Sequence, residues 1–219
     1  MTYSEGIYQS QLLLSVPYLV HGFSTRVYGD MRNSDKRYAF TRKLGLNEYN
    51  LMKPKQVHSA VIDMSGDGLV SQESPLCIIT ADCVPILLAD PNTRIVAAVH
   101  AGWKGTLGGI VSHAVDEMKR LGANPKNSIA FLGPHIGACC YTVTEERAKQ
   151  FPDTSSFWES AWHIDLGLAN KKQLIDCGVT RIDAPIYCTS CQTDRFFSYR
   201  KDTKETYGET IGVIGMKFV

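Results

Sequence analysis

A chain of 219 residues can bury one compact core and is too short for two large domains. Its 44% apolar and 21% charged residues exclude a disordered chain. With 23 Lys plus Arg against 22 Asp plus Glu and no long single-sign block, the sequence also lacks the electrostatic footprint of a nucleic-acid or anionic-lipid binder. A single domain over residues 1–219 with a small-molecule partner is the expectation.

The first apolar stretch, Leu12 to Val20, is interrupted by Ser15 and Pro17. It falls far short of the ~20 residues of a membrane span and lacks the basic start and cleavage site of a signal peptide. Gly22-Phe23-Ser24-Thr25-Arg26 reads as a strand running into a loop, and Tyr28 to Tyr38 as an exposed loop because of its Gly, Asp, Asn and Ser content. A weak helix is expected over Ala39 to Leu44, closed by Gly45.

Cys77 to Ala89 (CIITADCVPILLA) is an apolar run ended by the turn residues Asp90-Pro91-Asn92-Thr93, and Arg94 to His100 (RIVAAVH) follows as a second buried strand. The pair predicts an antiparallel hairpin covered on both faces, since neither strand alternates with polar residues. Thr106 to Leu121 has helical apolar spacing, with Gly122 to end it. Ser128 to Leu132 is an expected strand, Glu145 to Phe151 and Asp165 to Cys177 expected helices, and Phe196 to Tyr199 and Thr210 to Met216 the last strands. Hairpin-paired strands with helices outside favour a mixed α/β or α+β sandwich over a doubly wound parallel sheet.

Seven cysteines, an odd number in a chain that needs no staples, read as reduced thiols in a cytoplasm. Cys83 and His100 each lie about eight positions from the centre of the predicted turn, so a simple hairpin sets them opposite one another. With His58 they form a Cys/His/His set that suits a catalytic zinc, which takes three protein ligands and leaves one place open. Two other readings stand beside it: ordinary core residues, or a Cys83 nucleophile with His100 as its base.

Around this set stand Asp82, Gln56 and Lys104. Lys104 in Gly102-Trp103-Lys104-Gly105 puts a cation at a helix start, which suits phosphate; the plainer alternative is a solvated lysine with Thr106 as N-cap. Gly133-Pro134-His135-Ile136-Gly137 is a glycine-punctuated loop fit to face a ligand, with His135 as a substrate-facing candidate. Cys139 and Cys140, adjacent and so rarely bridged to each other, are read as packing residues or as support behind the candidate ligands. Cys188-Thr189-Ser190-Cys191 has the spacing of half a zinc ribbon, but no matching half follows it, so loop packing is the expectation there too.

The segments HGFSTR (21–26), QVHSA (56–60), GDGLV (66–70), ITADCVPILLAD (79–90), VAAVHAGWKGT (96–106), GPHIGACCYTV (133–143) and CTSCQTDRFFSYRKD (188–202) together resemble the laccase-domain family, also known as the multicopper polyphenol oxidase or purine nucleoside phosphorylase family. The resemblance implies zinc held by His58, Cys83 and His100. It implies phosphorolysis of adenosine, inosine, guanosine and S-methyl-5'-thioadenosine, with adenosine deamination, by water attack at purine C6, as a second activity. It further implies a four-layer α-β-β-α sandwich with mixed sheets, similar to bacterial toxin deamidase domains. A cytoplasmic monomer or homodimer is expected.

Under that resemblance Cys83, Asp82, Arg26 and Lys104 are the catalytic candidates. Ser24, Arg26, Gln56, Lys104 and His135 are the candidates for holding nucleoside and phosphate. A cysteine or metal-dependent hydrolase editing a peptidoglycan precursor is the second reading. A copper-dependent polyphenol oxidase is the third, and six histidines are few for it. One departure stands out: many members carry Gly-Arg where this chain has Gly208-Glu209, which bears on substrate choice.

Overall fold

In the computed structural model, which describes residues 2–217, the apolar runs form two five-stranded sheets and one three-stranded sheet. The first sheet runs Thr2–Ser4, Ile7–Gln9, Leu19–Ser24, Thr210–Met216, Leu76–Thr80, with every neighbour antiparallel. The second runs Arg181–Asp183, Ile129–Leu132, Val84–Asp90, Ile95–Ala101, Gly68–Ser71. It is antiparallel except for the edge pair of Arg181–Asp183 with Ile129–Leu132. Ser155–Trp158, Ala161–Ile164 and Thr142–Val143 make the small sheet. The mixed α/β class expected from the sequence is the one observed. Among the described residues no helix is long and apolar enough to cross a membrane.

Alternation along the strands sorts their side chains into separate cores. On the second sheet Ile86, Leu88, Ala97, Val99, Ala130 and Leu132 cluster with Val111, Val115 and Met118 of the helix Ile110–Arg120 and with Leu166 and Leu174 of the helix Leu166–Asp176. The intervening residues Leu87, Ala89, Val96, Ala98 and Phe131 meet Phe23, Leu76, Ile78, Ile214 and Met216 of the first sheet. The first sheet's other face, with Val20, Cys77, Ile79, Ile211 and Val213, covers Phe40, Leu46 and Met31. Each such large side chain contributes about 1.5–3 kcal/mol by burial, which is why these strands carry no polar alternation.

Several expected boundaries move, each for a local reason. The helix after the first loop begins at Ser34, because Asn33 accepts the Asp35 and Lys36 amides as its N-cap; the residues read as loop-formers are its cap and first turn. The expected helix over Thr106 to Leu121 is two helices, Trp103–Leu107 and Ile110–Arg120, separated at Gly109, whose φ of 74° interrupts the spiral. Thr106 is therefore inside a helix and not a cap: its N–H donates to Gly102 O and its hydroxyl accepts from Asn170. Phe196 to Tyr199 is not a strand. Its Ser198 donates to the carboxylates of Asp82 and Asp202, so these groups are not free to pair with a neighbouring strand.

The hairpin forms, but with a shifted register. Val84–Asp90 pairs with Ile95–Ala101 so that Pro85 faces His100. Arg94, at a left-handed φ of 58°, extends the turn beyond the expected Thr93 and displaces the pairing by two residues. The long run Cys77 to Ala89 is also two strands. Leu76–Thr80 belongs to the first sheet and Val84–Asp90 to the second, and the chain crosses between them at Ala81-Asp82-Cys83.

Candidate metal centre and cavity

Cys83 ends that crossing, immediately before its strand, and sits diagonally from His100 across the hairpin, on the same face as Pro85. His58 arrives from a loop. One ligand atom from each of His58, Cys83 and His100 lies within 4.8 Å of the others, and the two imidazoles are 4.9 Å apart between ring centres. His100 is buried, Cys83 half-buried and His58 exposed, so the group is closed on its protein side and open on the other.

The loop conformation that delivers His58 is one that most residues avoid. Gln56 and His58 have φ of 62° and 60°, and Asp82 beside Cys83 has 81°. Each such residue costs about 1–3 kcal/mol unless its surroundings hold it. Asp67 supplies much of the restraint. Fully buried, it accepts the Val57, His58 and Ser59 amides at 3.1, 2.9 and 2.6 Å and the Ser59 hydroxyl at 2.8 Å. Gln56 adds a two-point clamp on the first sheet: its amide donates to Ile79 O at 2.7 Å and its carbonyl accepts the Ile79 N–H at 3.0 Å.

The same Asp67 carboxylate stands 2.8 Å from His100 Nδ1, so that nitrogen carries the proton and Nε2 is left for the site. Burial alone would push His100 down, but Asp67 and the Cys83 sulfur outweigh it and raise it to about 9. For Cys83, burial would push the thiol up, and the hydrogen bonds from His100 and His58 bring it down to about 7. His58 is raised in turn, chiefly by its hydrogen bond with Cys83. Sulfur and nitrogen donors that favour a thiolate fit a borderline-soft divalent ion. So does the space around them. A Cβ on Gly102 would come within 3.0 Å of His58 Nδ1 and 3.1 Å of Cys83 Sγ, and one on Gly105 within 2.7 Å of Ser59 O.

This group lies on a cavity of about 720 Å³. Gln56, Asp82 and Lys104 line it together with the three candidate ligands. Asp82 is engaged, accepting from Thr189 Oγ1 at 2.5 Å, Ser198 Oγ at 3.1 Å and the Arg200 amide at 2.8 Å, and so ties down the loop that walls the cavity. Lys104 makes no ion pair among the described residues and stands 5.7 Å from the Trp103 ring centre.

Ser24, Arg26 and His135 are not brought to the cavity wall. The Ser24 hydroxyl is buried and accepts the Ile211 N–H. Arg26 donates to both oxygens of Asp202 at 2.7 and 2.8 Å and lies 4.2 Å over the Phe197 ring. His135 is buried, with Nδ1 2.7 Å from Gly133 O, and burial lowers its pKa.

Sequence reasoning missed other parts of this wall. Arg32, Lys53, Lys55, Arg147 and Arg200 add positive charge, and Trp103, Tyr141, Tyr199 and Tyr207 add aromatic surface. Glu209, noted as a departure, also faces the cavity and accepts from the Tyr207 hydroxyl at 2.9 Å. Asp67 was legible only as an aspartate between Gly66 and Gly68 at the start of a strand.

The family model described as multi-copper polyphenol oxidoreductase laccase matches residues 23–217. A purine nucleoside phosphorylase of Deinococcus radiodurans is 35% identical, with 93% of this chain and 90% of that protein covered. An adenosine deaminase, RL5, from an unknown prokaryotic organism is 34% identical, covering 78% of this chain and 77% of its own. The crystal structure of YlmD from Geobacillus stearothermophilus is similar with a TM-score of 0.85 at 27% identity, covering 100% of this chain and 98% of that one.

Proposed function

This chain belongs to the multi-copper polyphenol oxidoreductase laccase family, and from that premise we propose that it is a zinc-dependent purine nucleoside phosphorylase with adenosine deaminase as a second activity. Adenosine, inosine, guanosine and S-methyl-5'-thioadenosine are its proposed nucleosides, and inorganic phosphate its co-substrate. The observation that carries this reading is the convergence of His58, Cys83 and His100 on a cavity of nucleoside size whose wall holds Lys104, Arg147 and Arg200. Relatives named for both activities support it.

Bound by His58, Cys83 and His100, zinc would supply a Lewis-acidic centre with one coordination place open to substrate or water. The chain's own residues do the rest. Asp67 fixes the tautomer of His100 and the loop of His58. Lys104 and Arg147, whose guanidinium stacks 4.2 Å from the Trp103 ring centre, present positive charge to the incoming phosphate. Gln56 and Asp82 act by positioning the ligand loops, and Ser24, Arg26 and His135 by bracing the structure behind them. Glu209 offers an acceptor to a ribose hydroxyl or an exocyclic amine.

The packing of two sheets between helices supports the four-layer α-β-β-α arrangement and its likeness to toxin deamidase domains, in one domain over 1–219. Seven unpaired cysteines support a reducing cytoplasm. The described residues gather two groups of candidate metal donors with two histidines between them, a smaller imidazole supply than multicopper chemistry requires.

The decisive assay is adenosine turnover by zinc-loaded protein with and without phosphate. Adenine and ribose 1-phosphate formed only when phosphate is present supports the reading; base release indifferent to phosphate, or no turnover of any purine nucleoside, overturns it. One arrangement favours a second reading. Without metal, Cys83, His100 and Asp67 line up as thiol, imidazole and carboxylate, the order of a cysteine hydrolase. Hydrolysis of a peptidoglycan precursor that survives full chelation and is lost in Cys83→Ser would favour it.

A further inference from the structure

Two loops on the wall of the cavity carry paired cysteines: Cys139-Cys140 after the strand Ile129–Leu132, and Cys188-Thr189-Ser190-Cys191 after Arg181–Asp183. The sequence shows only half of a zinc ribbon at 188–191. The fold supplies the other half, not as a second spaced pair but as two adjacent residues. All four sulfurs lie within 4.8 Å of one another, and Cys191 Sγ is 3.6 Å from Cys139 Sγ and 3.3 Å from Cys140 Sγ. We propose that Cys139, Cys140, Cys188 and Cys191 bind a second metal ion, a tetrahedral zinc, that fastens these two loops together.

The spacing suits that ion. Four thiolates about 2.3 Å from a tetrahedral zinc stand about 3.8 Å apart, close to the separations observed. The same spacing is too tight to enclose an iron–sulfur cluster. Four protein sulfurs also leave no open place, which makes the site structural, in contrast with the three-ligand group on the cavity.

The backbone is folded to present sulfur. The amides of Cys191 and Gln192 both donate to Cys188 O, at 3.2 and 3.1 Å, which turns Cys191 back toward Cys188. A Cβ on Gly137 would meet Cys139 Sγ at 3.1 Å and Cys188 Sγ at 3.6 Å, so a glycine here lets the loops close on each other. Cys188 is buried, while Cys139 and Cys191 are exposed and give the ion a way in. Each sulfur still protonated on binding releases its proton to solvent.

The loops so joined carry Ile136, Tyr141, Tyr199 and Arg200 into the cavity, and both are already tied to Asp82. The second zinc would hold the wall that faces the first.

Metal content and zinc-edge X-ray absorption of the unaltered protein, purified under reductant and loaded with zinc, test the proposal without requiring a variant to fold. Two equivalents per chain with an average of about 2.5 sulfurs per zinc are expected; Cys188→Ser should then retain one equivalent and Cys83→Ser the other. A single equivalent bearing about four sulfurs would also uphold this site while counting against zinc at His58, Cys83 and His100. A single equivalent with about one sulfur, or disulfides among the four cysteines in the reduced protein, would overturn it.

Discussion

Asp67 Oδ1 meets His100 Nδ1 at 2.8 Å while accepting the His58 amide at 2.9 Å, so a single oxygen sets the ring of one candidate ligand and the backbone of another. Replacing it by an amide should therefore disturb both histidines at once. Asp67→Asn is expected to weaken zinc binding about 10–100-fold, measured by competition with a chromophoric chelator. Unchanged affinity would separate Asp67 from the centre.

Gly102 tests the space between the donors. Its φ of −72° is open to any residue, so Gly102→Ala brings no backbone strain, yet its methyl would stand 3.0 Å from His58 Nδ1 and 3.1 Å from Cys83 Sγ. Zinc affinity should fall at least about tenfold with far-UV circular dichroism unaltered. Wild-type affinity in Gly102→Ala would argue against an ion at this point.

Arg26 and Lys104, both basic and both candidates on sequence, should part company. Arg26 is spent on Asp202, so Arg26→Gln is expected to lower stability by about 1.5–3 kcal/mol in urea unfolding and to leave the phosphate KM nearly unchanged. Lys104→Met should raise the phosphate KM about tenfold or more, as the loss of one charge-assisted contact implies, with little change in stability. The reverse pattern would return Arg26 to the substrate.

A pH dependence of stability should come from His21, distant from the ligands in sequence and lodged in the first sheet. Burial depresses its pKa from the ordinary 6.5 to about 4, although its Nε2 accepts the Ser10 amide. On acidification the unfolded chain takes up this proton from pH 6.5 downward, and the folded chain does so only near pH 4. Stability is thus full above pH 6.5 and falls toward pH 4. Between pH 7 and 5 the loss from this group should be about 2 kcal/mol, seen in denaturant unfolding and absent from His21→Gln. Equal pH dependence in both proteins would assign the effect elsewhere.

Chelation supplies the last test. Metal-free protein should lose nucleoside cleavage altogether and regain it on adding zinc, and its thermal midpoint should rise with zinc concentration, because the ion binds only the folded arrangement. Full activity after verified metal removal would refute metal dependence.

The hairpin was legible because two apolar runs flank a cluster of turn formers, and the pairing of Cys83 with His100 followed from it. Its register was not, since nothing in a string of letters announces that Arg94 adopts a left-handed φ. The run through Cys83 reads as one strand because hydrophobicity does not distinguish two sheets; Asp82, polar between Ala81 and Cys83, was the available sign of the break. Asp67 escaped notice because its partners come from three successive amides in another loop and one distant ring. The cysteine quartet escaped for the same reason: a half-motif can be completed by a pair of a different pattern, and only the fold brings them together. The cavity's added cations come from loops, where periodicity carries no signal, except Arg147, which sits in the short helix Glu145–Ala148.

Cys83 stands where the chain passes from one sheet to the other, His100 belongs to the second sheet, and the His58 loop is clamped to the first through Gln56 and Ile79. No intermediate with only one sheet assembled can offer all three donors. Tight uptake of the ion should therefore come late in folding, so the moment at which refolding protein begins to capture it marks the docking of the two sheets.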